Sequence, residues 1–276
     1  MSEISTTAPG QPGPETGLLT FPAALQGCNV LVWGCSNKEQ LRALAEQIGP
    51  EGQLLVAEPA GPKLLLPARP CPVRLLPSEG TADCTDNSCD LVLVTEQFNL
   101  LPDKAVLLQR LFRLLKPGGE LYLNTLFADR RLPEQLCQPP AAGDLLLSGA
   151  LYSHDFRRLL SAAGWPDYRV VAVYPHLPEP DQQTAFGMVA FSRRIIRTFK
   201  LTSLEDICED YGQVVTYNGT LPGSPHSFVL DNHHTFYTGR PERVCGNSAA
   251  LVQETRFGKY FSVSGDRSRH FGPFPC

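Results

Sequence analysis

Charge is scarce in this chain of 276 residues, and neither sign dominates. Asp, Glu, Lys and Arg make up 19% of it, against roughly 25% in ordinary globular proteins. The formal net charge is −4, a balance that argues against nucleic acid or an anionic membrane surface as partner. No stretch approaches the roughly 18 uncharged apolar residues of a membrane helix. The opening residues lack the basic flank and apolar core of a signal peptide, and the final Phe-Pro-Cys lacks the spacing of a prenylation motif. A soluble, cytoplasmic protein is expected. Apolar side chains still reach 42%, enough for a real core in one large domain or two small ones. A wholly disordered chain is excluded.

Paired cysteines are missing too. The nine cysteines stand at positions 28, 35, 71, 84, 89, 137, 208, 245 and 276, and no two form a C-x2-C pair. Cys84 and Cys89 have no second half of the zinc-ribbon kind, so no metal ligands are expected and the thiols read as reduced and mostly buried. His233 and His234, as neighbours in a strand, would point to opposite faces and could not share an ion. No nucleophile-elbow signature accompanies any Ser, His and Asp set. Arg193, Arg194 and Arg197 read as a solvated strand edge.

Proline, by contrast, is abundant: 25 residues, where an average near 5% would give about half as many. Residues 1–18 have almost no large apolar side chains and read as a disordered tail. After them, residues 29–33 (NVLVW) form a strand ending at Gly34, and a helix follows with Leu41, Leu44, Ala45 and Ile48 at helical spacing. A second strand over 54–57 ends at Glu58. The proline-rich run 59–77 forbids a long helix and leaves at best a short strand near 73–76. Strands over 90–95, 120–127 and 168–174 alternate with helices over 103–115 and 153–163. This rhythm predicts an α/β fold with a largely parallel sheet, Rossmann-like in kind. From about residue 191 the texture becomes short β runs between Gly, Pro and Asn turns. The expected division is therefore 19–190, then a β-rich module over 191–265, then a tail over 266–276.

Several stretches carry a more specific likeness. The turn Lys116-Pro117-Gly118-Gly119 between a helix and a strand is that of class I S-adenosylmethionine methyltransferases. Asn99-Leu100-Leu101-Pro102-Asp103-Lys104, Ser148-Gly149-Ala150-Leu151-Tyr152, Arg197-Thr198-Phe199-Lys200-Leu201 and the run 213–219 (QVVTYNG) resemble the arsenite methyltransferase family. The likeness runs in one order from about Gly27 to Val263. It implies a class I methyltransferase sheet with a small C-terminal β-rich domain, S-adenosylmethionine as cofactor, and cysteine thiolates converging on trivalent arsenic, a soft centre. The bound arsenic's lone pair would then attack the sulfonium methyl in a dry site.

Mapped residue by residue, the resemblance places Gly34, Ser36, Glu58 and Glu96 on the cofactor side. The acid and two glycines of the family's Asp-x-Gly-x-Gly-x-Gly turn are replaced here, and only Gly34 stays in place. The family's thiol positions fall on Leu146 and Ser192, neither of which ligates arsenic well; Cys137 is a possible substitute. Three readings stand open. The first is a methyltransferase fold kept as a catalytically silent binding or regulatory module, with a protein partner. The second is an active S-adenosylmethionine-dependent methyltransferase acting on arsenite or another small substrate. The third is a thiol-based binder of soft metal ions using Cys28, Cys35 or Cys137.

Overall fold

The computed structural model describes residues 21–35, 37–57, 71–76, 84–137 and 145–276. The expected N-terminal tail and much of the proline-rich run lie outside them. In chain order the elements are β1 (Asn29–Trp33), α1 (Lys38–Ile48), β2 (Gln53–Ala57), β3 (Val73–Leu76), β4 (Cys89–Val94), α2 (Lys104–Leu114), β5 (Leu115–Ala128), α3 (Leu145–Ser148), β6 (Leu151–Tyr152), α4 (Ser153–Ala162), β7 (Arg169–His176), α5 (Pro180–Phe186) and β8 (Phe191–Phe199). The C-terminal module adds β9 (Val214–Tyr217), β10 (Ser227–Val229), β11 (Thr235–Tyr237), β12 (Pro241–Arg243), α6 (Gly246–Gln253) and β13 (Phe261–Ser264).

The large sheet has the order β3-β2-β1-β4-β5-β8-β7, with β6 beside β5. Its strands pair in parallel as far as β5, whereas β8 is antiparallel to both β5 and β7. Strands of this kind are buried on both faces, which is why they read as continuous apolar runs. Successive side chains alternate between two cores. Leu31, Trp33, Leu55, Ala57, Val92 and Val94 face one cluster together with Leu108 and Leu111 of α2 and Phe156 and Leu160 of α4. Val30, Val32, Leu54, Val56, Leu91 and Leu93 face the other, against Leu41, Leu44 and Ile48 of α1. The mixed, Rossmann-like sheet is the expected fold.

The boundary expected at residue 190 falls inside that sheet. β8 is a central strand, so the sheet closes at Phe199. Its arginines hid it. Arg193 and Arg197 are buried, not solvated, because each meets a carboxylate: Arg193 Nη2 donates to Glu96 at 2.7 Å, and Arg197 Nε donates to Glu120 at 2.7 Å. Glu120 is fully buried and also accepts from Arg256, just beyond α6. This triad ties the sheet to the C-terminal module. The Lys-Pro-Gly-Gly turn reinforces the joint, with Gly118 N–H donating to the Lys200 carbonyl at 2.7 Å. At Gly118, φ is +78° and a Cβ would lie 2.7 Å from the Glu254 carbonyl oxygen, so only glycine fits.

The C-terminal module contains a three-stranded sheet β12-β9-β13 and the β10-β11 ribbon, packed around Tyr217, Phe228, Phe236 and Phe257. Residues 266–276, expected as a tail, are docked on it. Gly272 O accepts from Asp210 N–H, Phe271 N–H donates to Asp210 O, and Phe274 N–H donates to Cys208 O. Among the described residues no helix is long and apolar enough to cross a membrane.

Candidate functional site

In open α/β sheets, ligands bind beyond the carboxyl ends of the parallel strands, at the crevice where the strand order reverses. Here that crevice lies between β1 and β4. Gly34 follows β1 with φ +85°, and its carbonyl accepts from Thr95 Oγ1 at 2.8 Å. A Cβ at Gly34 would stand 2.7 Å from Gln97 Cβ and 2.8 Å from Thr95 Oγ1. Glycine at this position thus lets the turn after β4 pack closely against the end of β1. Asn37 Oδ1 accepts from Glu39 N–H and Gln40 N–H at the start of α1, engaging two of the first-turn amides that serve as an anion cradle in nucleotide-binding domains.

Glu96 lies beside this crevice, but its carboxylate is engaged by the buried guanidinium of Arg193. Of the residues that the resemblance assigns to the S-adenosylmethionine site, Gly34 and Glu96 stand at this crevice. Two residues assigned to it, Ser36 and Glu58, lie outside the described residues.

The thiol positions of the resemblance give no arsenic cage. Leu146 packs against a small apolar cluster containing Leu126, Leu147, Phe186 and Phe191. Ser192 Oγ accepts from Arg194 Nε at 3.1 Å, and β8 carries no cysteine along its length. Cys137 is exposed, its Sγ directed at the Leu132 and Pro133 carbonyls. Buried Cys28 donates to Ala24 O, and burial pushes its thiol up. Cys35 contacts Gln40. Among the described residues Cys28, Cys35 and Cys137, the thiols of the soft-metal alternative, are not gathered into one set.

The family motifs themselves are architectural. Asn99 is buried; its Nδ2 donates to the Leu126 and Leu146 carbonyls at 3.0 and 2.9 Å, and its Oδ1 accepts from Thr125 at 2.9 Å. Gly149 presses on it so closely that a Cβ would lie 1.9 Å from the Asn99 carbonyl oxygen. Two of the resembling stretches are therefore one packed joint.

A second cluster went unseen in the sequence. The Sγ atoms of Cys208, Cys245 and Cys276 all lie within 4.8 Å of one another. Cys245 is fully buried at the N-cap of α6, where its sulfur accepts from Ser248 N–H at 3.4 Å and lies 3.3 Å from Ser248 Oγ. Arg169 Nη2 stands 3.9 Å away. A hydrogen bond from Cys208 holds the Cys245 thiol well below its ordinary range, against the cost of burial, with Ser248 and Arg169 adding to the effect. The same bond pushes Cys208 up, and burial raises Cys276. Arg169 in turn meets Asp167 at 2.9 Å and Asp231 at 3.2 Å, and Asp231 meets His234 Nδ1 at 2.7 Å. The cysteines are far apart in the chain, with no local spacing to reveal them.

Two family models match this chain: a methyltransferase domain over residues 74–164 and the arsenite methyltransferase C-terminal domain over 211–273. A protein of Aquipseudomonas alcaligenes named arsenite methyltransferase is 37% identical over 93% of this chain and 78% of its own. The chain belongs to the arsenite methyltransferase family. The family's human enzyme, named likewise, is 29% identical over 67% of this chain but only 48% of its own length. Among solved structures, the arsenic(III) S-adenosylmethionine methyltransferase of Chlamydomonas reinhardtii superposes with a TM-score of 0.84 at 32% identity, covering 92% of this chain and 91% of that one. The family likeness thus spans both modules.

Proposed function

We propose that this chain uses the methyltransferase fold as a catalytically silent binding or regulatory module. The observation that carries the reading is the tight turn at Gly34, where even a Cβ would press on Thr95 and Gln97 and the Gly34 carbonyl accepts from Thr95, beside the crevice at which the fold binds a nucleotide-type cofactor. Two further features support it. Glu96 is neutralised by Arg193, and neither β8 nor the segment from α3 to α4 supplies a thiol to hold arsenic beside a methyl donor. The test is incubation of the purified, reduced protein with arsenite, S-adenosylmethionine and glutathione. Methylarsenic should stay at the level of a control without protein, and product above that level overturns the proposal.

A second reading is favoured by the 37% identity that persists across both modules to a bacterial arsenite methyltransferase. It is retained methyl transfer, with Cys137 taking over a lost ligand. Under that reading, product forms in the same assay and Cys137→Ser abolishes it.

A further inference from the structure

We propose that Cys208, Cys245 and Cys276 form a three-sulfur site for a trivalent, thiophilic metalloid, separate from the methyltransferase crevice. The inference holds whether or not the chain transfers methyl groups. Its first support is geometric. Bonds of about 2.3 Å between sulfur and a thiophilic ion place three sulfurs about 4 Å apart, and these three already lie within 4.8 Å. Closing on an ion takes side-chain adjustments well below an ångström.

The second support is how deliberately the backbone gathers them. Cys208 O accepts from Phe274 N–H, Glu209 O accepts from Gly246 N–H, and Glu209 bridges Pro273. One short segment therefore anchors both the start of α6, which carries Cys245, and the docked strap, which carries Cys276. The N-terminus of α6 and the Arg169 guanidinium surround Cys245 with positive potential that favours a thiolate there.

The ligand class follows from the donor count. Among the described residues the cluster contains no fourth Cys, His, Asp or Glu. Zinc usually takes four ligands, whereas trivalent arsenic bound by three thiolates is saturated and neutral. With arsenous acid, each As–O bond is exchanged for an As–S bond. Three hydroxides leave as three waters, taking up the protons the thiols release, and arsenic remains trivalent. No oxidant or reductant is required.

Position separates this site from the crevice. Arg169, which touches Cys245, pairs in register with Arg197, and Arg197 lies near the end of β8 that faces the start of β5. The crevice lies at the other end of these strands, where Arg193 reaches Glu96. Arg193 and Arg197 alone are separated by about 13 Å of strand at 3.3 Å per residue. Arsenic held by this trio is stored or sensed, not presented to a methyl donor.

The test uses the full chain, reduced and freed of metal, titrated with arsenite and followed by native mass spectrometry. One arsenic atom should add per chain with loss of three hydrogens. Cys208→Ser, Cys245→Ser and Cys276→Ser should each weaken uptake at least tenfold, and Cys84→Ser, outside the cluster, should leave it unchanged. Circular dichroism checks that each variant is folded; if Cys245→Ser is not, Cys276→Ser on the docked strap carries the test. Failure of the wild type to bind arsenite, or full binding by Cys276→Ser, overturns the proposal. So does a titration with zinc sulfate alone in which zinc binds more tightly than arsenite and blocks its uptake.

Discussion

Replacing Glu120 by Gln should be the most damaging single change of charge at the joint between the two modules. The Glu120 side chain is 0% exposed, and its arginine partners Arg197 and Arg256 are 4% and 13% exposed. Arg197 is further enclosed by Phe199 and Phe257, whose ring centres lie 5.3 and 5.2 Å from its guanidinium carbon. The glutamine keeps the shape but removes the carboxylate that contacts both guanidinium groups, leaving two buried cations under-compensated. Breaking a buried ion pair by removing one partner costs about 3–5 kcal/mol. With a urea dependence of roughly 2–3 kcal/mol per molar, the unfolding midpoint should fall by about 1–2.5 M. An exposed pair provides the control: Arg42 and Glu46 are 67% and 56% exposed, so Glu46→Gln should change stability by less than about 0.5 kcal/mol. Urea unfolding followed by tryptophan fluorescence and circular dichroism reads both. A loss below about 1 kcal/mol for Glu120→Gln would refute the view that this triad couples the modules.

Gly149→Ala should destabilise by about 1–3 kcal/mol or more, because its methyl would meet the Asn99 carbonyl; a thermal melt indistinguishable from wild type rules out that joint. Asp231 is pushed up by burial, but His234 and Arg169 outweigh this and hold it below the ordinary 3.8. Its contribution is therefore complete above that pH and lost as pH falls through the lower folded value. Acid unfolding of Asp231→Asn should show a shallower dependence in that range, and an unchanged acid limb counts against the assignment. Installing Leu146→Cys with Ser192→Cys should add an equivalent of bound arsenite beyond that taken by the three C-terminal thiols, without methylation. Absence of the extra equivalent means that the two positions do not converge, and methylation would defeat the silent-module reading.

The parts of the fold legible in the sequence were those governed by local pattern. β1, β2 and β4 are buried on both faces and so appear as unbroken apolar runs, while α1 and α2 show helical spacing. β8 was harder, because its arginines look solvent-seeking until Glu96 and Glu120, distant in the chain, are placed beside them. The strap over 266–276 has few apolar residues and is fastened largely by backbone hydrogen bonds to the 208–210 segment, which composition does not reveal. The same long-range docking gathers Cys208, Cys245 and Cys276. At the crevice, the turn after β1 was legible, but not how closely Thr95 and Gln97 pack on Gly34.

Calorimetric titration of the reduced, full-length chain with S-adenosylmethionine, and separately with its demethylated product, tests the central claim most directly. With the Gly34 turn packed on Thr95 and Gln97 and Glu96 held by Arg193, the silent-module proposal predicts weak or undetectable heat for both ligands. Saturable binding with a Kd of about 1 μM or tighter, corresponding to roughly −8 kcal/mol, would contradict it and return the chain to the active methyltransferases of its family.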